Sequence, residues 1–364
     1  MHPMIKPSLR RGWRDRETVR YGVTPAHSVL FGPLDNATEN FLSLLDGTRG
    51  LPALRDAAAA LGLGAEAADR VTRRLEEAGV LEDATAEREA ASQITEAMRP
   101  DLASLSLLYS KPGGGLRALL ARRSARVLVR GAGRVGTAIA GALAQAGVGR
   151  VEVADGGRVS RVDTAHGGIR PEGVGERRAQ AARAVVRAVT PWRRAPGREE
   201  TTGPRLVILA PREGLAAYVP DPVRAEELMA ERTPHLYAGV VEATGFVGPL
   251  VLPGITTCAN CLLRTLTDRE PAWPLLVAQW RNGRAPGIPA CDSALATAVA
   301  GLTACSALAF IDGHGPQSPH TRTELVLPGP TMTSHTFDAH PDCPCGAARS
   351  HAPDPTRPAR TGPQ

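Results

Sequence analysis

The sequence predicts an α/β protein of two domains: a small winged-helix-like domain, then a larger nucleotide-binding-type sheet domain with a structural zinc. Three observations predict it. A strand runs into a glycine-rich turn and then a helix across residues 126–147. Four cysteines fall in two tight pairs, Cys258 with Cys261 and Cys343 with Cys345. Short strands precede three helical segments within the first 83 residues. At 364 residues the chain exceeds one ordinary core, so two domains are expected.

Composition narrows the class. Hydrophobic residues make up 43% and charged residues 22%, which is globular usage. Aromatics are 4%, and the excess of Ala, Gly, Pro and Arg reads as a GC-rich genome rather than as structure. No run of about 18 apolar residues is read along the chain, which argues against a membrane span. The opening MHPMIKPSLRRGWRDRE is basic with no apolar stretch behind it, so no signal peptide is expected and the cytoplasm is the expected compartment. In a reducing compartment, six cysteines point to metal or buried thiols before disulfides. The net charge is +6, with arginines clustered at Arg177, Arg178, Arg183, Arg187, Arg193 and Arg194. That cluster reads first as a solvated face and second as a contact for an acidic partner. Nucleic acid ranks last, because no aromatics interleave it.

The first domain, residues 1–83, opens with three short strands in LRRGWR, ETVRYG and HSVLFG. A first helix starts at Asn36 as N-cap with Glu39 three residues on, carries Phe41 and Leu45 on one face, and stops at Gly47. LPALRDAAAALG is the second. The third spans about 65–78, with Val71, Leu75 and Ala78 at helical spacing and Gly79 as its stop. VLED returns to extended chain. Winged helices bind DNA, or bind peptides by adding a strand to a sheet edge, and the pattern alone leaves both open. Residues 84–115 read as a linker: a helical EREAASQITEAMR ended by Pro100, then a flexible KPGGG. The strand–helix alternation starts near Leu116. Residues 347–364, rich in Pro and Arg, are expected to be disordered.

The segment RVLVRGAGRVGTAIAGALAQAG carries the clearest local signal. Val127, Leu128 and Val129 form a buried parallel-type strand. Gly131 makes a tight turn, Gly133 lets a phosphate approach the backbone, and Gly136 permits close helix–strand packing. VEVAD then ends in Asp155, 24 residues after Gly131, where a carboxylate can grip a ribose hydroxyl. The same order of elements also suits a fold that binds no nucleotide.

Cys258 and Cys261 lie in CANC, after a probable strand pair YAGVVEATG and FVGPLVLPG; Cys343 and Cys345 lie in CPC. Four thiolates in two close pairs suit tetrahedral zinc tying the C-terminal segment to the preceding domain. Cys305, in GLTACSALAF, reads as a small core residue. Cys291 precedes Asp292 and Ser293, N-caps for that helix, so it is a nucleophile activated by a helix N-terminus or, more simply, a buried spectator.

Over about residues 116–346 the glycine turn, Asp155, VGERRAQAARAVVRAV, PHLYAGVVEATGFVGPLVLPGITTCANC and the closing cysteine pair resemble the ThiF/E1-type adenylyltransferases. These activate carboxylates of peptides or small proteins with ATP. The resemblance places on Gly157 a second acidic residue, on Asp163 an Asn, on His166 a phosphate-touching Arg, on Arg178 a phosphate-binding Lys, and on Arg212 a metal-binding Asp. This chain keeps the glycine turn and the cysteines and departs at those positions, which implies a degenerate ATP site.

The front half resembles PqqD-like peptide-recognition domains fused to such a unit, the leader-peptide-binding partners of YcaO cyclodehydratases, and two phrases of the second domain resemble that family too: TDREPAWP, with Trp273, after the first cysteine pair and HPDCPCG at the second. That resemblance implies a precursor leader peptide and a YcaO-type enzyme as partners, with the leader lying along the sheet edge beside Val71 and Leu75. Two copies pairing near the glycine turn is a further implication. The readings are ranked as a non-catalytic leader-binding partner, then a working adenylyltransferase, then a nicotinamide oxidoreductase. The last is weakened by the cysteine pairs and by the lack of a hydride-transfer constellation.

Overall fold

The structure, a computed structural model, describes residues 1–192, 205–283, 287–314, 320–329 and 331–350. The chain forms two compact units, one comprising Met1–Arg123 with Pro191 and Trp192, the other beginning at Ser124.

The N-terminal unit contains β1 (Pro3–Ile5), β2 (Arg11–Trp13), β3 (Val19–Tyr21), β4 (Val29–Phe31), α1 (Asn36–Ser43), α2 (Leu51–Ala60), α3 (Ala65–Glu77) and β5 (Leu81–Asp83). Strands β2, β3 and β4 form an antiparallel sheet in that order, while β1 pairs with β5. Val19, Tyr21 and Phe31 meet Phe41, Leu54, Val71 and Leu75 in one core, so a three-strand sheet covers a three-helix layer in winged-helix fashion. The cap of α1 differs from expectation by one residue. Asp35, not Asn36, is the N-cap, and its Oδ1 accepts the Thr38 N–H at 2.7 Å.

The segment after β5 is no loose connector. It forms α4 (Ala84–Gln93), α5 (Arg99–Leu108) and α6 (Gly114–Ser124). Pro100 sits in the first turn of α5, where its missing N–H costs nothing, so it begins a helix rather than ending one. KPGGG leads into α6, with Gly114 and Gly115 buried. The buried Lys6 ammonium donates to Tyr109 O at 2.9 Å, and the Gly113 N–H donates to the buried Glu82 carboxylate. These bonds join α5 and α6 to the β1–β5 pair. Leu116, Leu119, Met98 and Trp192 close a separate small core.

The larger unit comprises β6 (Arg126–Arg130), α7 (Arg134–Gln145), β7 (Arg150–Ala154), α8 (Arg178–Val189), β8 (Arg205–Leu209), a one-turn α9 (Leu215–Tyr218) and α10 (Pro222–Ala230). It continues through β9 (His235–Val241), β10 (Thr244–Val251), α11 (Ala259–Arg269), α12 (Trp273–Asn282), α13 (Ser293–Ile311), β11 (Thr321–Val326), β12 (Thr331–Thr336) and α14 (Ala347–Ser350). One seven-stranded sheet runs β12-β11-β10-β9-β8-β6-β7. The pairs from β7 through β9 are parallel and the rest antiparallel. Both faces are covered, so β9 is apolar nearly throughout. Leu236, Ala238 and Val240 point to the core shared with α7 and α13, and Tyr237 points to the opposite core. A register shift in β10 between Val247 and Leu250 puts both on the α13 side, although their spacing is odd.

Helix α13 corrects two expectations. It has 19 residues and an 18-residue window of mean hydropathy 2.0, long and apolar enough for a membrane span by length and composition, so such a run does exist. In the fold, Leu295, Val299, Ala300 and Ala307 pack it into the central core. Cys305 turns outward and is exposed, not a core thiol.

Candidate functional site

The order of strands reverses at β6, which pairs with β7 on one side and β8 on the other. A parallel sheet opens a crevice at the carboxyl ends of its strands at such a point, and the glycine turn lies there. Gly131 has φ +122°, and a Cβ there would lie 1.9 Å from Ala210 O. A Cβ on Gly136 would lie 2.2 Å from Gly131 O, so both positions need glycine for the turn to close against α7. Gly133 is the N-cap of α7 and faces the Arg212 backbone, with a Cβ there 3.0 Å from Arg212 Cα.

Asp155 follows β7 and is fully engaged. Its Oδ2 accepts the Ala132 N–H at 2.9 Å. Its Oδ1 accepts the Gly157 N–H at 2.7 Å and Arg178 Nε at 3.0 Å. Burial alone would raise its carboxyl; Arg178 and the two backbone donors outweigh that and hold it below the usual range. Arg178 also occupies the space above Gly157, where an added Cβ would lie 2.1 Å from its Nη2. A second acidic side chain at 157 would have to displace it.

Asp163, 3% exposed, is paired in the same way. Its Oδ1 accepts Arg212 Nε at 2.5 Å, and its Oδ2 accepts the Ser160 N–H at 2.8 Å and Ser160 Oγ at 2.7 Å. Burial pushes this carboxyl up, but Ser160 and Arg212 together bring it below the usual range. Arg134, within the glycine turn, donates Nε to Val162 O at 2.8 Å and Nη1 to Cys291 O at 2.9 Å. Arg134, Asp163, Arg212, Pro289 and Cys291 line a cavity of about 100 Å³. Ligand clefts usually hold about 300–1,000 Å³, so this one takes only a small group as it stands. Burial raises the Cys291 thiol, with Arg134 opposing, which favours its neutral form. His166 is exposed.

The second cluster lies on the opposite face of the sheet. Cys258 is the N-cap of α11 and Cys261 lies in its first turn; Cys343 and Cys345 come from the turn before α14. The Sγ atoms of Cys258 and Cys261 are 3.8 Å apart, those of Cys258 and Cys343 3.6 Å, and those of Cys261 and Cys345 3.5 Å. All four lie within 4.8 Å of one another. A tetrahedron with Zn–S bonds of about 2.3 Å has edges near ~3.8 Å, so the donor set fits zinc. The hydrogen bond from Cys258 lowers the Cys261 thiol, and the same bond together with burial raises the Cys258 thiol. Burial, with Cys258 beside it, raises the Tyr237 phenol, which keeps its proton at neutral pH.

The nucleotide site fits less well. The N–H groups at the α7 N-terminus and three nearby guanidiniums suit an anion. A divalent cation needs free carboxylate oxygens, and Asp155 and Asp163 are both committed to arginines. No step through magnesium follows from this arrangement.

Val71 and Leu75 do not line an open groove. Leu75 is 0% exposed and Val71 9%; both hold α3 against the sheet from inside. The outer side of α3 presents Arg70, Arg73 and Arg74. The Arg74 guanidinium lies 4.7 Å over the Phe31 ring and donates to Gly32 O at 3.3 Å. Among the described residues β4 pairs only with β3, so its other edge is open, with Leu30 51% exposed. Of the arginine cluster, Arg178 binds Asp155 and Arg183 donates to Val153 O, whereas Arg193 and Arg194 lie outside the described residues.

Sequence reasoning missed Arg134, visible inside the glycine turn itself, and Arg322. Arg322 is buried on β11 with its guanidinium 4.4 Å from the Tyr218 ring and 5.5 Å from Phe337. A charged residue in an otherwise core-directed strand position was its one sequence signal.

The sheet order, the glycine turn and the cysteine staple define a Rossmann-type unit of the ThiF kind. The ThiF family model matches residues 112–346, and the chain belongs to the ThiF family. No match was found among curated proteins. Among solved structures, E. coli MccB with ATP is similar at 15% identity and TM-score 0.67, covering 95% of this chain and 100% of that one. MccB with AMPCPP and MccA is similar at 15% identity and TM-score 0.69, with the same coverage. PaaA is similar at 16% identity and TM-score 0.65, covering 92% and 99%. At such identities the likeness establishes the fold, and it extends over both units.

Proposed function

We propose that this protein binds a precursor peptide and serves in the maturation of a ribosomally made peptide. The observation that carries the reading is that the likeness to MccB, solved with MccA and with ATP, covers 95% of this chain and so includes the N-terminal unit. The open β4 edge beside Arg74 supports it further. An extended peptide adds there as a fourth strand, with main-chain bonds giving affinity and Leu30 and the α3 arginines giving selectivity.

Two roles suit such a chain. The comparisons favour the first, an adenylyltransferase that activates a peptide or small-protein carboxylate with ATP. In it the glycine turn and the α7 N-terminus would hold the phosphates, and ATP would supply the AMP that joins the carboxylate and makes it electrophilic as pyrophosphate departs. The Asp163–Arg212 pair favours the second, a leader-binding partner of a YcaO-type cyclodehydratase whose own ATP site is degenerate. ATP–pyrophosphate exchange with the full chain and its precursor separates them. Exchange abolished by Asp155→Ala supports the enzyme, and its absence alongside tight peptide binding supports the partner.

A further inference from the structure

Strand β7 ends the seven-stranded sheet, and among the described residues it pairs only with β6. Two bonds fix which way its backbone faces. The Arg150 N–H donates to Ala125 O at 3.2 Å, and Ala154 O accepts the Gly131 N–H at 2.8 Å. Arg150, Glu152 and Ala154 therefore turn their main-chain groups towards β6. Alternate residues of a strand turn the other way, which aims the N–H and C=O of Val151 and Val153 out of the sheet. Arg183 meets that edge from α8, its Nη2 donating to Val153 O at 3.0 Å.

A groove of about 560 Å³ lies along this edge. Ligand clefts usually hold about 300–1,000 Å³, so it has room for a guest. Leu128, Val151 and Val186 give it an apolar wall, and Arg150, Arg183 and Arg187 give it a cationic rim. Its one carboxylate, Glu152, is already held by Arg126 at 2.9 Å and Arg150 at 2.5 Å. Arg187 is exposed and has no hydrogen bond or ion pair among the described residues.

An open strand edge accepts a further strand unless charge or cover prevents it. Here the guanidiniums decide between guests. A second copy adding through its own β7 would bring the same cations together, which like charges disfavour. An extended acidic segment meets the rim with opposite sign.

We propose that β7 is a docking edge distinct from the β4 edge, and that it takes an extended acidic segment of a partner protein as an added strand. The free main-chain groups of Val151 and the Val153 N–H bond its backbone, while Arg183 and Arg187 pair with its carboxylates.

The test is fluorescence anisotropy of the full chain with a labelled peptide of alternating glutamate and valine, about eight residues long. This peptide should bind at least ~10-fold more tightly than its lysine–valine counterpart. Arg187→Glu should weaken it at least ~10-fold, and so should Val151→Pro, which removes an outward N–H and leaves the ladder to β6 alone. Should Val151→Pro fail to fold, methylated peptides put the same question from the other side. Methylating either the glutamate amides or the valine amides should cost at least ~10-fold, and methylating the other set little, because an added strand bonds through alternate residues. Leu30→Pro in β4 should leave this binding unchanged. Binding lost in Leu30→Pro but kept in Arg187→Glu would put the peptide on β4 and overturn the proposal. No binding of the acidic peptide would overturn it too. So would duplex DNA bound as tightly, with the same loss in Arg187→Glu, which would make the rim a general anion surface.

Discussion

Arg212 and Asp163 form an ion pair across the mouth of the β6 crevice, Nε to Oδ1 at 2.5 Å, with both oxygens of the carboxylate spoken for. The resemblance to ThiF/E1-type enzymes places a metal-binding carboxylate where this arginine stands. The pair therefore reverses the charge at a position that would otherwise face a cation, and it narrows the cavity beside Arg134 and Cys291.

That pair makes stability depend on acid. The folded pKa of Asp163 is depressed, so as pH falls the unfolded chain takes up its proton first, near the ordinary carboxylate value of about 4. Its contribution is complete above that value and disappears as pH drops through the folded pKa. Asp163→Asn should lower the stability of the larger unit by roughly 3 kcal/mol at pH 7, because it leaves Arg212 without its counter-charge. The gap should shrink in denaturant titrations as pH falls below the ordinary carboxylate value of about 4 and on through the depressed folded pKa. A gap of constant size across that range would show that the pair contributes nothing to folding.

The cysteine cluster predicts about one zinc per chain by elemental analysis. Cys258→Ser should lose the metal and lower the melting temperature, since thiolate zinc sites contribute on the order of 10 kcal/mol to folding. Full stability in strong chelator, with no metal found, would contradict the site.

Exposure orders the thiols. Cys305 on α13 should react first with a thiol reagent, in a single fast phase removed by Cys305→Ser. Cys291 should react slowly, because burial raises its thiol. The zinc ligands should stay silent until chelator is added. A fast phase that survives Cys305→Ser would place the reactive thiol elsewhere.

What the sequence showed were features written in adjacent residues. The glycine turn and the Cys258–Cys261 pair carry their chemistry within a few positions, and the three helices of the first unit announce themselves by spacing and stop residues. What it hid depends on distance or direction. β1 pairs with β5 across most of the first unit, and a three-residue strand has no period to read. Pro100 looked like an end because proline breaks helices, yet the first turn tolerates it. Helical spacing found the face bearing Val71 and Leu75 but not that it points inward, so the sheet edge was expected beside those two residues rather than at Leu30 and Arg74. Cys305 lies on a helix apolar all round, where composition does not tell core from surface.

The central claim is peptide capture at β4. The direct measurement is fluorescence anisotropy of the full chain with the leader segment of a short Cys-, Ser- or Thr-rich peptide encoded beside its gene. The account predicts a Kd near or below about 1 μM, some −8 kcal/mol. It predicts at least ~10-fold weaker binding for Leu30→Pro, which places a ring where the edge N–H should donate, and for Arg74→Glu, with circular dichroism unchanged. No binding of the leader, together with salt-steep binding of duplex DNA by the same protein, would contradict it.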